Sequence, residues 1–258
     1  MRVLFIGDVV GQPGRRALNA LLRDLREELL IDVVVANGEN AAAGRGLTIK
    51  TAQEMFRAGV DIISSGNHIW DQREFTEELD SEKPILRPAN YPPGSPGRGM
   101  LRNKGLTVLN LQGRTFMANI DCPFRTADAL LSQPYERPII VDMHAEATSE
   151  KQALGWYLDG RVSAVLGTHT HVPTADARIL PEGTAYISDA GFTGARDSVL
   201  GFEISASQRL FLSGLPTRLP VADNADTVVL NSVLIDIDDK TGRATHIERV
   251  DRQHTFAK

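Results

Sequence analysis

Residues 1–40 read MRVLFIGDVVGQPGRRALNALLRDLREELLIDVVVANGEN, and their order decides the fold class. Val3-Leu4-Phe5-Ile6 is a short apolar run closed by Gly7 and Asp8. Arg15 to Leu30 then carries leucines at 18, 21, 22, 25 and 29, the spacing of one helical face. Val33-Val34-Val35-Ala36 follows, apolar at every position and rich in β-branched residues, which predicts a strand covered on both faces. Strand, helix, strand within forty residues is the unit from which parallel sheets are built.

The alternation continues downstream. Thr51 and Glu54 have capping-box spacing, Met55 and Phe56 supply apolar surface, Gly59 is placed to end that helix, and Asp61-Ile62-Ile63-Ser64 is the next strand. Ile139-Ile140-Val141 and Ala164-Val165-Leu166 repeat the pattern around a helix from Ser149, with Gln152 as its capping partner, to Asp159. Residues 228–237 read as one strand, Asp239-Lys240-Thr241-Gly242 as a turn and residues 244–250 as the antiparallel return. Residues 83–98 hold five prolines, which predicts an ordered irregular loop or lid that influences substrate choice more than metal binding. With no repeat and no linker-like stretch, residues 1–258 are expected to form a single α/β domain with a mixed sheet system.

A chain of 258 residues buries roughly 70 to 75 % of its unfolded surface, and 42 % apolar with 24 % charged residues is a globular composition. Twenty-eight basic against 33 acidic residues, with no basic run, exclude an extended nucleic-acid surface but not a small anionic ligand. The single cysteine, Cys122, allows no internal disulfide and no thiolate zinc site, as suits a reducing compartment. The first apolar run is too short for a signal core or a membrane span, so a cytoplasmic protein without membrane partner is expected.

Five strands end in residues able to hold a metal: VLFIG before Asp8, VVVANG before Glu39-Asn40, DIISSG before Asn67-His68, IIVDM before His144, and AVLGT before His169-Thr170-His171. Open α/β sheets place ligands at such carboxyl ends. Any one of these residues alone reads as a turn former, a helix cap or a core histidine. Five in succession read as one site. Carboxylates, carboxamides and imidazoles without thiolate suit Mn, Fe, Co or Zn rather than calcium. Six or seven ligands exceed one tetrahedral sphere and suffice for two ions that share a bridging carboxylate. His246 and His254 lie outside the pattern and are expected at the surface.

Gly66-Asn67-His68 with Asp71, and Gly167-Thr168-His169-Thr170-His171, resemble the GNH[DE] and GHxH boxes of calcineurin-like metallophosphoesterases. Val10 stands where that family's first box has a histidine, and Gly38-Glu39-Asn40 replaces its second box. With GDVVGQPGR, NGENAAAGRG, SSGNHIWD and residues 194–201, the chain is most similar to the YmdB-type branch. The resemblance implies an αββα sandwich of two mixed β-sheets flanked by helices. It implies one metal held by Asp8, Glu39, Asn40 and His171 and a second by Glu39, Asn67, His144 and His169. It favours Fe or Mn, and it implies attack on phosphorus by a bridging hydroxide with His68 protonating the leaving oxygen.

Phosphodiesterase action on cyclic nucleotides (2',3' or 3',5') is the activity that resemblance implies. A phosphomonoesterase on the same site, and a regulatory protein whose metal is a sensor or structural, are the competing readings. A serine or cysteine hydrolase lacks its motif, and no phosphate loop or dinucleotide fingerprint follows a strand. Arg45, Tyr91 and Phe192 are the residues placed to meet phosphate or base, against the plainer reading of solvated or packed side chains. A homo-oligomer is compatible with the sequence.

Overall fold

A computed structural model of the chain describes residues 1–257. In chain order the elements are β1 (Arg2–Ile6), β2 (Asp8–Val9), α1 (Gly11–Glu28), β3 (Val33–Asn37), α2 (Ile49–Ala58) and β4 (Ile62–Ser64). Then come β5 (Met100–Asn103), β6 (Leu106–Gln112), α3 (Pro123–Leu131), β7 (Ile139–His144), α4 (Thr148–Tyr157) and β8 (Ala164–Thr168). The last part holds β9 (Arg178–Ile179), β10 (Ala185–Ile187), β11 (Phe192–Ala195), α5 (Ile204–Ser213), β12 (Thr227–Leu230), β13 (Ser232–Ile237), β14 (Ala244–Arg249) and β15 (Arg252–Thr255).

Two mixed sheets face each other, ordered β14-β13-β1-β3-β4 and β5-β6-β7-β8-β10-β9. Strand periodicity sorts their side chains into layers. Val3, Phe5, Val33, Val35 and Ile62 of the first sheet meet Val108, Ile140, Leu166 and Ile187 of the second in a buried middle layer. The opposite face of the first sheet packs Leu4, Ile6 and Val34 under Leu18, Leu22 and Leu25 of α1 and Met55 of α2. The outer face of the second, with Leu109, Val141 and Val165, packs under Ala127 and Leu131 of α3 and Leu154 of α4. Helices on both outer faces of two apposed sheets make an αββα sandwich.

A third sheet, β15-β12-β11-β2, was not expected from the sequence. It arises because two strands leave the first sheet side by side. At Gly7 the chain passes from β1 to β2, and at Asn231 the stretch read as one strand divides into β12 and β13, with Gly7 N donating to Asn231 O at 3.0 Å. A Cβ on Gly7 would stand 2.0 Å from the Gly191 carbonyl oxygen, so no larger residue lets the chain cross there. The step delivers Asp8 to the site, paired with Phe192 of β11.

Helix starts differ from expectation. Thr48, not Thr51, caps α2, and Thr51 is the reciprocal partner three residues on, while Gly59 ends the helix at φ 114° as expected. Helix α4 begins after Ala147 with no side-chain cap, and α1 begins at Gly11, four residues early, with Pro13 inside its first turn. Residues 83–98 form no helix or named strand, as their prolines require, but they are no lid. Ile85, Leu86 and Arg87 are buried, and the Arg87 guanidinium donates to the carbonyls of Pro88, Ala89, Ser95 and Pro96, so the loop is clamped onto the body.

Candidate metal centre

The carboxyl ends of both central sheets converge. Asp8, Glu39, Asn40, His144 and His171 are buried, and Asn67, His68 and His169 are half-buried beside them. All eight residues singled out in the sequence lie in this one cluster. A Cβ on Gly66 would fall 2.2 Å from His144 and 2.3 Å from a Glu39 oxygen, so glycine is what lets the Asn67 turn lie against them.

The contacts divide into two groups that meet at Glu39. His144 Nε2 lies 3.1 Å from Glu39 Oε1, 3.1 Å from Asn67 Oδ1 and 3.0 Å from His169 Nδ1. Glu39, His144 and His169 each offer one ligand atom, and the three atoms lie within 4.8 Å of one another, close enough together to share a metal ion. In the second group, Asn40 Nδ2 is 3.2 Å from Glu39 Oε1 and 3.1 Å from His171 Nε2, and Asp8 Oδ1 is 3.8 Å from that same imidazole nitrogen. Turning the Asn40 carboxamide over presents its oxygen at this point, the atom a cation takes.

Proton accounting shows why the cluster suits cations. Thr168 Oγ1 donates to Asp142 Oδ1, so it accepts from His144 Nδ1–H at 2.9 Å. His171 Nδ1–H likewise donates to the Leu200 carbonyl at 2.9 Å. Both histidines therefore turn Nε2 inward, toward carboxylate and carboxamide oxygens. Asp8 Oδ1 is fully buried and has no hydrogen-bond partner. A buried carboxylate oxygen without a donor is costly unless a cation faces it. This N/O set fits first-row transition metals.

The electrostatics agree. Burial lifts Asp8 to a pKa of about 6 against the pull of His171 and His144, with Glu39 adding to the rise. Burial also works against ionised Glu39, but His144, then His68 and His169, hold it at about 2. Burial disfavours charged His144, yet Glu39, Asp8 and Asp142 carry it to about 9, while burial and then His144 push His169 down to about 3. A cation bound at His144 Nε2 must displace a proton there below pH 9, whereas His169 has none to lose. Between pH 6 and 8, Mn²⁺ affinity of chelator-stripped protein should fall about tenfold per unit of acidification, with about one proton released per ion at that site. Calorimetry in buffers of different ionisation enthalpy counts the proton, and a pH-independent affinity would contradict the assignment.

Several supporting residues were not singled out in the sequence. Asp142 shares the inward face of β7 with Ile140 and His144, and accepts from Asn37 Nδ2 at 3.0 Å, Ser64 Oγ at 2.6 Å and Thr168 Oγ1 at 2.7 Å. Glu146 takes His169 Nε2 at 3.1 Å and so turns Nδ1 toward His144. Lys151 of α4 is buried in an ion pair with Asp189 at 2.7 Å, and Asp189 also accepts from Thr170 N and Oγ1. That network braces a strained turn, with His169 at φ 98° and His171 at φ 63°.

A cavity of about 720 Å³ opens onto the cluster, walled by Arg45, Gln72, His68, Phe202 and Arg218. His68 Nδ1 meets Asp71 at 2.9 Å and its backbone N–H donates to Glu39 Oε2 at 3.2 Å. Of the three residues weighed for substrate contact against a solvated or packed role, only Arg45 lines this cavity, and the two aromatics take the packed role. Phe192 stacks on His171, 12° from parallel, and Tyr91 is tied to Gln112 and packed on Trp70. No residue of 83–98 lines it either, which removes the ground for a role of that loop in substrate choice.

The family model described as YmdB-like protein matches residues 4–250. The chain is 49 % identical over 256 residues, 97 % of its length and 96 % of the other, to the 2',3'-cyclic-nucleotide 2'-phosphodiesterase of Bacillus subtilis. It is 34 % identical to a putative phosphatase/phosphodiesterase of Mycoplasma genitalium, over 97 % of this chain and 92 % of that one. Among solved structures, a hypothetical protein of Thermus thermophilus superposes with TM-score 0.92 at 45 % identity, covering 98 % of this chain and 99 % of that one. A novel phosphatase of Mycoplasma pneumoniae superposes with TM-score 0.93 at 34 % identity, covering 99 % and 94 %.

Proposed function

The chain belongs to the YmdB-like family of calcineurin-like metallophosphoesterases and is a phosphoric diester hydrolase, and from that premise we propose that it cleaves cyclic nucleotides at a dinuclear centre. The name of the B. subtilis relative points to 2',3'-cyclic nucleotides first, with 3',5'-cyclic nucleotides as the comparison. The observation that carries the dinuclear reading is Glu39 Oε1, within 3.2 Å of Asn40 and 3.1 Å of His144, one member of each ligand group. Asp8, Glu39, Asn40 and His171 would hold one ion and Glu39, Asn67, His144 and His169 the other, with Fe or Mn favoured over Zn or Co. When bound, such a pair supplies water activation and neutralises charge developing on the phosphoryl oxygens. Arg45, on the cavity wall, is placed to take a phosphate oxygen, and His68, fixed through Nδ1 by Asp71, to hand a proton to the departing alkoxide. Among the described residues no helix is long and apolar enough to cross a membrane, and a cytoplasmic site of action is part of the proposal.

Protein purified without chelator and supplied with Mn or Fe should carry about two ions per chain and turn over 2',3'-cyclic AMP and bis-nitrophenyl phosphate faster than nitrophenyl phosphate. A metal content near zero or one after replete preparation would overturn the dinuclear centre. Preference for the monoester would favour the phosphatase half of the M. genitalium relative's name. Metal uptake without turnover of any of the three would favour a sensor or structural metal.

A further inference from the structure

The cavity over the ligand cluster carries two cations that the cluster itself does not use. Its carboxylates, Glu39 and Glu146, sit at the histidine end, Glu39 against His144 and Glu146 against His169. Arg45 and Arg218 line the same cavity, and among the described residues neither guanidinium has a hydrogen-bond or ion-pair partner. The two come from different parts of the chain. Arg45 follows the Glu39-Asn40 turn, whereas Arg218 stands on the irregular stretch between α5 and β12. Phe202 ties the two segments together. Its backbone is bridged to Val221, three residues after Arg218, and Glu203 N donates to Pro220 O at 2.9 Å. A Cβ on Gly44, at φ 90°, would stand 3.1 Å from the Phe202 ring and 2.8 Å from Val221, so the segment that presents Arg45 is packed onto that ring. A half-buried aromatic is thus joined to two free guanidiniums, the chemistry that stacks a nucleobase and holds phosphate at two places.

We infer that Arg218 receives a second phosphate, and that the preferred substrate is a 2',3'-cyclic nucleotide that also bears a phosphate on its 5' oxygen, as the last nucleotide of a short RNA fragment does. This narrows the cyclic-nucleotide reading proposed above and rests on it. A 2',3'-cyclic mononucleotide brings a single negative charge, which Arg45 and the cluster meet, and it leaves Arg218 without a counterion. A phosphate on the 5' oxygen lies across the ribose from the cyclic ester and supplies that counterion, with the base on Phe202. In the reaction, water adds to the ring phosphorus, one ring P–O bond breaks and its ribose oxygen takes the proton, while the second phosphate is untouched. With no basic run in the chain, one arginine holding one phosphate suits a fragment of a few nucleotides rather than long RNA.

Mn-loaded protein should cleave 5'-phosphoadenosine 2',3'-cyclic phosphate, and the dinucleotide ApA with a 2',3'-cyclic end, with kcat/KM about 10- to 100-fold above that for 2',3'-cyclic AMP at low salt, the scale of one charge-assisted arginine contact. The gain should lie chiefly in KM, because the second phosphate is remote from the reacting bond. R218A should erase the difference among the three substrates, R218K should keep part of it, and R45A should slow all three alike. Adenosine 3',5'-bisphosphate should bind wild type about tenfold or more tighter than 3'-AMP in calorimetry, a difference that vanishes in R218A and needs no turnover. Equal kcat/KM on the three substrates, or a preference that survives R218A, overturns the role of Arg218 while leaving cyclic-nucleotide cleavage in place. A preference shown by the dinucleotide alone overturns the phosphate as the group recognised. Turnover of none of the three overturns the cyclic-nucleotide reading and this assignment with it.

Discussion

Glu39→Ala should strip both cations from the protein and lower phosphodiester turnover by about 10³-fold or more, the scale expected when a metal's several kcal/mol of transition-state stabilisation is lost. The reason is position. Glu39 follows β3 at the seam between the two ligand groups and touches a member of each, whereas Asn67 touches only the His144 group. Asn67→Ala should therefore leave about one ion per chain, and Glu39→Ala close to none. Glu39→Gln separates charge from shape: it keeps the Oε1 position but removes the negative charge that two cations would share, so it should also bind metal poorly even though His144, freed of that anion, gives up its proton more readily. Metal analysis of the three variants beside wild type checks this. Equal loss of a single ion in Glu39→Ala and Asn67→Ala would remove the bridging role.

The frame of this arrangement was legible in the sequence because two periodicities were clean. The leucines of α1 and the valines of β3 leave no other reading, and a polar residue closing an apolar strand marks a sheet's carboxyl edge without any coordinate. The division of those strands between two facing sheets was not legible from spacing, since a crossover between sheets and one within a sheet look alike along the chain. The third sheet was hidden for a sharper reason. Residues 228–237 are apolar enough to read as one strand, and only the opposed step at Gly7 explains why the chain changes sheets at Asn231.

Supporting residues were missed on residue type. Lys151 lies in a helix and lysine belongs outside, so its burial against Asp189 has no local signal. Asp142 did have one: in Ile140-Asp142-His144 the period of two places a carboxylate on the face of the histidine, where it fixes the tautomer through Thr168. The proline-rich loop failed differently. Proline density predicts irregular backbone, and it does not distinguish a lid from a clamp such as Arg87 makes.

His68→Ala should keep both cations yet lose on the order of 10²- to 10⁴-fold in kcat on substrates with alkoxide-like leaving groups. The side chain is one quarter exposed on the cavity wall, and its Nδ1 is engaged by Asp71 at 2.9 Å, which leaves Nε2 as the nitrogen with a proton to give. Its backbone N–H, not its ring, is what touches Glu39, so removing the imidazole spares the ligand groups. A nitrophenolate departs without a proton. The loss with bis-nitrophenyl phosphate should therefore be far smaller than with 2',3'-cyclic AMP, and the ratio of the two losses isolates proton donation from every effect common to both. Asp71→Asn should move the same ratio in the same direction by less, since it loosens the ring without removing it. A residue that merely supports the centre gives another signature, either metal loss or equal damage to both substrates. Metal content and both rates measured on one preparation decide between them, and an unchanged substrate ratio in His68→Ala would end the case for this histidine as the acid.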